Sequence, residues 1–184
     1  MNEKAFACGM SIIALFLVAA LIQVSAQPAA DSFGVNDAGG TPGTQVIIPV
    51  NITNVENGSI LGITFNIAYD KSVINITTVV RGDLTADWNV VEFNNDFEGG
   101  TRVTLTGPSA FGIPNGSSGS VVLLNFSVER TADRIGYSHI TVSDIQLSDP
   151  GGNLGTAPAR NGLFYVAGIT TPGGSGDKDT DGDG

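Results

Sequence analysis

ILGITFNIAYDKSVINI occupies residues 60–76. Within it Ile63, Phe65, Ile67 and Tyr69 alternate with Thr64, Asn66 and Ala68. Side chains on a strand change face at every residue, so this spacing predicts one apolar face and one small, polar face. The alternation stops at Tyr69-Asp70-Lys71-Ser72, where Asp70 and Ser72 can hydrogen-bond the local backbone and favour a turn. It resumes with Val73, Ile74 and Ile76, which fold back under the same core.

Upstream, Ser32-Phe33-Gly34-Val35 reads as a first edge strand. Thr44 to Thr53 is a clear strand, with Val46, Ile48, Val50 and Ile52 on one side. Pro49 lies inside it and cannot donate to a ladder, so an edge or bulged strand is expected. Asn54 to Ser59 contains the tight-turn pair Asn57-Gly58. Downstream, Trp88 to Phe93 reads as a strand with Trp88, Val90 and Glu92 on one face, and Asn94 to Gly100 as a turn. Arg102 to Thr106 alternates again, with Val103 and Leu105 inward. A long loop, Gly107 to Gly119, leads to Ser120–Val128, apolar on both faces near its start as in a deeply buried strand. His139 to Leu147 and Asn161 to Ala167 complete the set. About nine short strands with turn signals between them predict an all-β, two-sheet sandwich of jelly-roll topology.

Composition agrees. The 184 residues include 25 glycines, and only 14% are charged. Valine, isoleucine and threonine dominate, and no helical stretch is evident. The net charge of -10 excludes a nucleic-acid partner, because binding phosphate needs clustered cations. The cations between the termini are scattered: Lys71, Arg81, Arg102, Arg130, Arg134 and Arg160.

Residues 1–26 have the form of a secretory signal peptide. Lys4 gives a positive start, Ala5 to Val24 is largely apolar, and Val24-Ser25-Ala26 offers the small residues a signal peptidase reads. Cleavage after Ala26 would release the chain to the outside or the cell surface; without cleavage the run is long enough to anchor it in a membrane. The single cysteine, Cys8, lies in this leader, so no disulfide staples the remainder. Five Asn-x-Ser/Thr sequons, at Asn51, Asn57, Asn75, Asn115 and Asn125, are N-glycosylation candidates. Residues 27–168 form the expected domain, and 169–184 a linker and acidic tail.

That tail ends Asp177-Lys178-Asp179-Thr180-Asp181-Gly182-Asp183-Gly184. Carboxylates at alternate positions, Asp177, Asp179, Asp181 and Asp183, match the first half of a calcium loop with Gly182 at its sharp turn. The second half is missing, so Ca2+ is expected there only if the loop is completed; the other reading is a solvated acidic tail. No cofactor is expected in the folded domain.

The stretch 60–76 resembles the central strand of cohesin domains, in which an alternating strand ends in Tyr-Asp, a short turn and a paired apolar return. The resemblance extends through Gly43-Thr44-Gln45-Val46-Ile47-Ile48-Pro49-Val50, Arg81-Gly82-Asp83-Leu84, Gly119-Ser120-Val121-Val122-Leu123-Leu124-Asn125-Phe126 and Asn161-Gly162-Leu163-Phe164-Tyr165-Val166. It implies a non-catalytic β-sandwich that holds a dockerin-type protein module. It also implies that Thr64, Asn66 and Ala68 face outward on the docking sheet. Many cohesins carry an Asn or Asp pair at the positions matching Gly62 and Thr64, and this chain lacks it.

Other chemistries have less support. The single histidine, His139, offers no partnered base, and no mature thiol or Cys/His zinc set exists. Glu56, Glu92, Glu98 and Glu129 have no spacing that pairs them as glycosidase acids. A carbohydrate-binding module is an alternative, with Trp88, Tyr69, Tyr137 and Phe97 as stacking candidates for a polysaccharide, although Trp88 and Tyr69 also suit the core. A structural surface-layer or adhesion domain is the third reading.

Overall fold

The computed structural model describes residues 26–97, 100–130 and 136–167. In chain order the strands are β1 (Ala29–Gly34), β2 (Ala38–Gly40), β3 (Gln45–Glu56), β4 (Gly62–Ala68), β5 (Ile74–Arg81), β6 (Val90–Phe97), β7 (Gly100–Thr106), β8 (Gly119–Val128), β9 (Tyr137–Ser148), β10 (Leu154–Gly155), β11 (Ala159–Arg160) and β12 (Gly162–Val166). β2, β10 and β11 have three residues or fewer, which leaves nine full strands as expected. Two short 3-10 turns, at 83–85 and 109–111, are the only helical segments among the described residues.

The strands form two facing sheets. One has the order β11-β1-β3-β8-β5; the other runs β2-β12-β9-β4-β7-β6, with β10 added beside β9. The jelly-roll sandwich expected from the periodicity is therefore present. Both sheets are mixed, because β1 pairs with β11, and β12 with β2, in parallel.

Ile63, Phe65 and Ile67 of β4 are fully buried, with Tyr69 just beyond the strand end. Val73, Ile74 and Ile76 follow into the opposite sheet and are buried too. Two edge-to-face ring pairs span the layers: Phe33 with Phe65 at 5.1 Å, and Tyr69 with Phe126 at 5.2 Å. Such pairs add to the area term of burial. On β8, Val121 and Val122 are both fully buried, which matches its apolar run on two faces.

A buried polar relay crosses the core beside Tyr69. Thr101 Oγ1 donates to Asn95 Oδ1 at 2.8 Å, and Asn95 Nδ2 donates to the Ile76 carbonyl at 2.9 Å. Thr101 has one hydroxyl proton, so Tyr69 must donate to Thr101 Oγ1, 2.9 Å away. The Tyr69 oxygen in turn accepts from the Ile76 amide at 3.4 Å. Four strands are tied together at this point.

Pro49 follows the bulged alternative: β3 lies between β1 and β8 rather than on an edge, and the proline sits one residue before a register shift at Val50/Asn51. The shift interrupts the ladder near the missing donor. Trp88 precedes β6 rather than joining it; it is buried, and its indole N–H donates to the Phe111 carbonyl at 2.8 Å. Glu92 faces solvent. Residues 94–97, read as a turn, continue β6 against β7 with a register shift between Asn94 and Phe97. β1 is likewise flanked on both sides, by β3 and the short β11.

Residues 1–25 of the 1–26 leader and the segment 168–184, with Asp177, Asp179, Asp181 and Asp183, lie outside the described residues, as do Glu98 and Arg134.

Candidate docking face

The outer face of the seven-stranded sheet is built around β4. Parity places Gly62, Thr64, Asn66 and Ala68 opposite the core-facing set, and β4 is hydrogen-bonded on both sides. Thr64 stands between Thr104 of β7 and Gln146 of β9; Asn66 stands between Arg102 and Ser143; Ala68 stands between Gly100 and Thr141. Glu92 and Asn94 of β6 extend the face beyond Thr104 and Arg102.

Asn66 organises its centre. Its Oδ1 accepts from Arg102 Nε at 2.9 Å, and its Nδ2 donates to the Asp144 carboxylate. The Arg102 guanidinium lies over the Phe97 ring, 3.9 Å from its centre, a cation–π placement that fixes the long side chain. Asp144 reaches Asn66 because β9 bulges between Ser143 and Gln146, with Asp144 at φ 50. Aspartate tolerates that left-handed backbone better than most residues. Cation, amide and acid thus lie in a row across three strands. Beside them is a depression of about 120 Å³ bordered by Ala68, Phe97, Gly100 and Asp144. Thr64 and Thr104 complete the row with their hydroxyls 3.4 Å apart.

Gly62 has a local cause. A Cβ built there would lie 2.3 Å from the Ser148 hydroxyl oxygen. The Asn or Asp expected at this position in a cohesin-like docking sheet is replaced by a glycine that makes room for a β9 side chain.

The strand turn after β4 is also accounted for. The Asp70 carboxylate accepts from the Ser72 hydroxyl at 2.5 Å and from its backbone N–H at 2.8 Å. Both bonds, the hydroxyl one first, hold the Asp70 carboxyl below its ordinary range. Asp149 is lowered likewise, chiefly by the Asn153 side-chain amide, with the backbone N–H groups of the same loop adding to it.

Catalytic and stacking candidates are dispersed. His139 is exposed on β9, and its ring meets the Tyr137 edge at 5.6 Å. Glu56, Glu92 and Glu129 lie on different strands or their ends. Trp88 and Tyr69 are buried, which removes them as sugar platforms. Tyr137 is half exposed, and Phe97 serves Arg102. Among the described residues no three Asp, Glu, His or Cys side chains converge on a metal position. Sequence reading placed Thr64, Asn66 and Ala68 on this face but did not find Asp144 and Phe97. A bulge brings the first in and an extension of β6 the second, and neither follows from a period of two.

Fold and face together define a jelly-roll β-sandwich with a polar outer sheet. The family model for the cohesin domain matches residues 32–160, more than half of the chain. The chain therefore belongs to the cohesin family, whose domains are non-catalytic modules. No curated protein matches it. Among solved structures, it is similar to CaCohA2 of Clostridium acetobutylicum, with TM-score 0.63, 24% identity, and coverage of 79% of this chain and 94% of that one. It is similar to a non-cellulosomal cohesin of the hyperthermophilic archaeon Archaeoglobus fulgidus, with TM-score 0.58, 22% identity, and coverage of 77% and 92%. A third is OlpC of Clostridium thermocellum, solved as a type I cohesin–dockerin complex, with TM-score 0.61, 18% identity, and coverage of 76% and 97%. At such identities the likeness is one of fold.

Proposed function

We propose that this cohesin domain works outside the cell, or on its surface, as a holder for a calcium-loaded dockerin-type module. The module docks on the outer face of β9-β4-β7-β6. The observation that carries the reading is the row Asp144–Asn66–Arg102, stacked on Phe97 and held ready in the free protein. A side chain already fixed in its bound position loses less entropy on association. The small side chains of Thr64, Ala68 and Thr104 leave the face flat enough for helices of a partner to approach. The printed partners of several structural relatives are dockerins, in two cases from Clostridium thermocellum, and that supports the same partner class here.

The test is a binding titration of the purified chain against calcium-loaded dockerins, repeated with chelator, beside a polysaccharide pull-down. Binding that needs calcium, and that weakens at least about tenfold in Asn66→Ala and Arg102→Ala, is the expected result. A tenfold loss corresponds to about 1.4 kcal/mol. Binding untouched by both substitutions would move the docking surface elsewhere. Retention by polysaccharide alone would replace the dockerin reading with the carbohydrate one, and no retention by either would favour a structural surface role.

A further inference from the structure

We propose that the chain carries N-linked glycans at Asn57 and Asn115, side by side at one end of the sandwich, while the other three sequons stay bare. The structure separates the five by the freedom of the amide nitrogen and of the local backbone.

Asn75 is occupied. Its Nδ2 donates to the Lys71 carbonyl at 2.8 Å and to Glu129 Oε1 at 2.7 Å, using both hydrogens. Attaching a sugar would remove one of them. Asn125 is mid-strand in β8, with Nδ2 directed at Gln45 Oε1 and Oδ1 buried. Asn51 is half-buried in β3, between Gly34 of β1 and Ser120 of β8. In an extended strand the Asn and the hydroxyl residue two places on are separated by about 6.6 Å along the chain. The ladders on either side prevent the curl that would bring them together.

Asn57 and Asn115 are different. Asn57 is exposed at φ 61 in the turn between β3 and β4, and its side chain makes no hydrogen bond among the described residues. Asn115 is exposed in the turn closed by Ser117 N–H on the Pro114 carbonyl. Its Oδ1 accepts from the Gly58 N–H at 2.8 Å, which leaves Nδ2 free and ties the two turns together. The glycine after each asparagine has open space around it: a Cβ at Gly58 or Gly116 would meet nothing within 4 Å. Ser59 and Ser117 supply the hydroxyls. A glycosylated Asn115 keeps its Oδ1 acceptor, so the link to Gly58 survives modification.

The chemistry is transfer from a lipid phosphate-activated oligosaccharide by a membrane transferase. A bond forms between Nδ2 and the anomeric carbon. The bond from that carbon to the phosphate oxygen breaks, its electron pair leaves with the lipid phosphate, and the displaced amide proton passes to the transferase. The proposed docking face is spared. Its outward asparagines, Asn66 and Asn94, are followed two places on by Ala68 and Asp96 and are not sequons. Asn57 lies in the turn that precedes β4, nine residues before Asn66 in the chain, and Asn115 in the turn that precedes β8.

The experiment is glycopeptide mass spectrometry on the full chain purified from the cells that make it. Expected are glycan-bearing peptides at Asn57 and Asn115 and unmodified Asn51, Asn75 and Asn125. Asn57→Gln and Ser59→Ala should each remove one glycan mass from the intact protein, as should Asn115→Gln and Ser117→Ala. The serine variants keep the asparagine in place, so a matching loss identifies the transferase requirement rather than a folding defect. Bare peptides at both turns, or a glycan on Asn51, Asn75 or Asn125, would overturn the proposal. The readout does not involve dockerin and stands or falls apart from it.

Discussion

At the residue scale, Tyr69 does two jobs that a single letter in a strand pattern does not reveal. Its ring packs edge-on against Phe126, and its hydroxyl begins the relay through Thr101 and Asn95 to the Ile76 carbonyl. Tyr69→Phe keeps the ring contact and deletes the donor. Thr101 Oγ1 then loses its incoming hydrogen bond, and the Ile76 amide loses its acceptor, both away from solvent. Leaving buried polar groups unpaired costs about 1–3 kcal/mol, so urea unfolding should show an unfolding free energy lowered by that amount, read as an earlier midpoint with an unchanged slope. A loss below about 0.3 kcal/mol would mean the relay is bypassed. The alternation made Tyr69 legible as a core residue. The relay was not legible, because Asn95 falls in the segment read as a turn and Thr101 just before the next strand, and only the pairing of β6 with β7 brings them together.

At the element scale, β4 and β9 are fitted to each other at Gly62. Alanine normally gains over glycine in a strand, by about 0.5–1 kcal/mol of chain entropy. Here the added Cβ would meet the Ser148 hydroxyl, which must rotate away. Gly62→Ala should therefore cost about 0.5–1 kcal/mol alone and become neutral or stabilising in a Ser148→Ala background, where the nearest remaining Ser148 atom is the Cβ at 3.7 Å. A double-mutant cycle by thermal melting reads this as coupling near 1 kcal/mol; additivity within about 0.3 kcal/mol would dismiss the contact. The same contact shows what sequence can and cannot supply. The period of two exposes β4, β7, β8 and the outward set Thr64, Asn66 and Ala68, since burial of one face fixes parity. It cannot say which strands flank β4, so neither the bulge that brings Asp144 to Asn66 nor the reason for Gly62 was readable. β6 was cut short because Asn94, Asn95 and Asp96 are turn formers by local preference. The ladder to β7 overrides that preference. β2 and β11 are too short to carry any period, and their parallel pairing was not foreseen.

At the scale of the whole molecule, the acidic surface and the two loop carboxylates act in opposite directions as pH falls. With a net charge of -10 at pH 7, partial protonation relieves self-repulsion, a diffuse effect screened beyond about 8 Å at physiological salt. Asp70 and Asp149 oppose it. Each has a native pKa held below its ordinary 3.8 by hydrogen bonds that favour the charged form. Their contribution to stability is complete above the unfolded value and is lost as pH falls from there through the lowered native values. Between about pH 7 and pH 5 the melting temperature should hold level or rise slightly, because neither carboxylate titrates there. Below about pH 4 it should fall. Asn at either position can still accept from the local backbone and keep the turn, but it carries no charge to lose. The Asp70→Asn, Asp149→Asn double variant should therefore melt lower than the natural chain at neutral pH and decline less steeply in acid, so that the two curves converge as pH falls through the lowered native values. Scanning calorimetry of both proteins across that range at constant salt makes the comparison. Parallel acid limbs would show that these two turns do not govern the decline and that other carboxylates of the sandwich carry it.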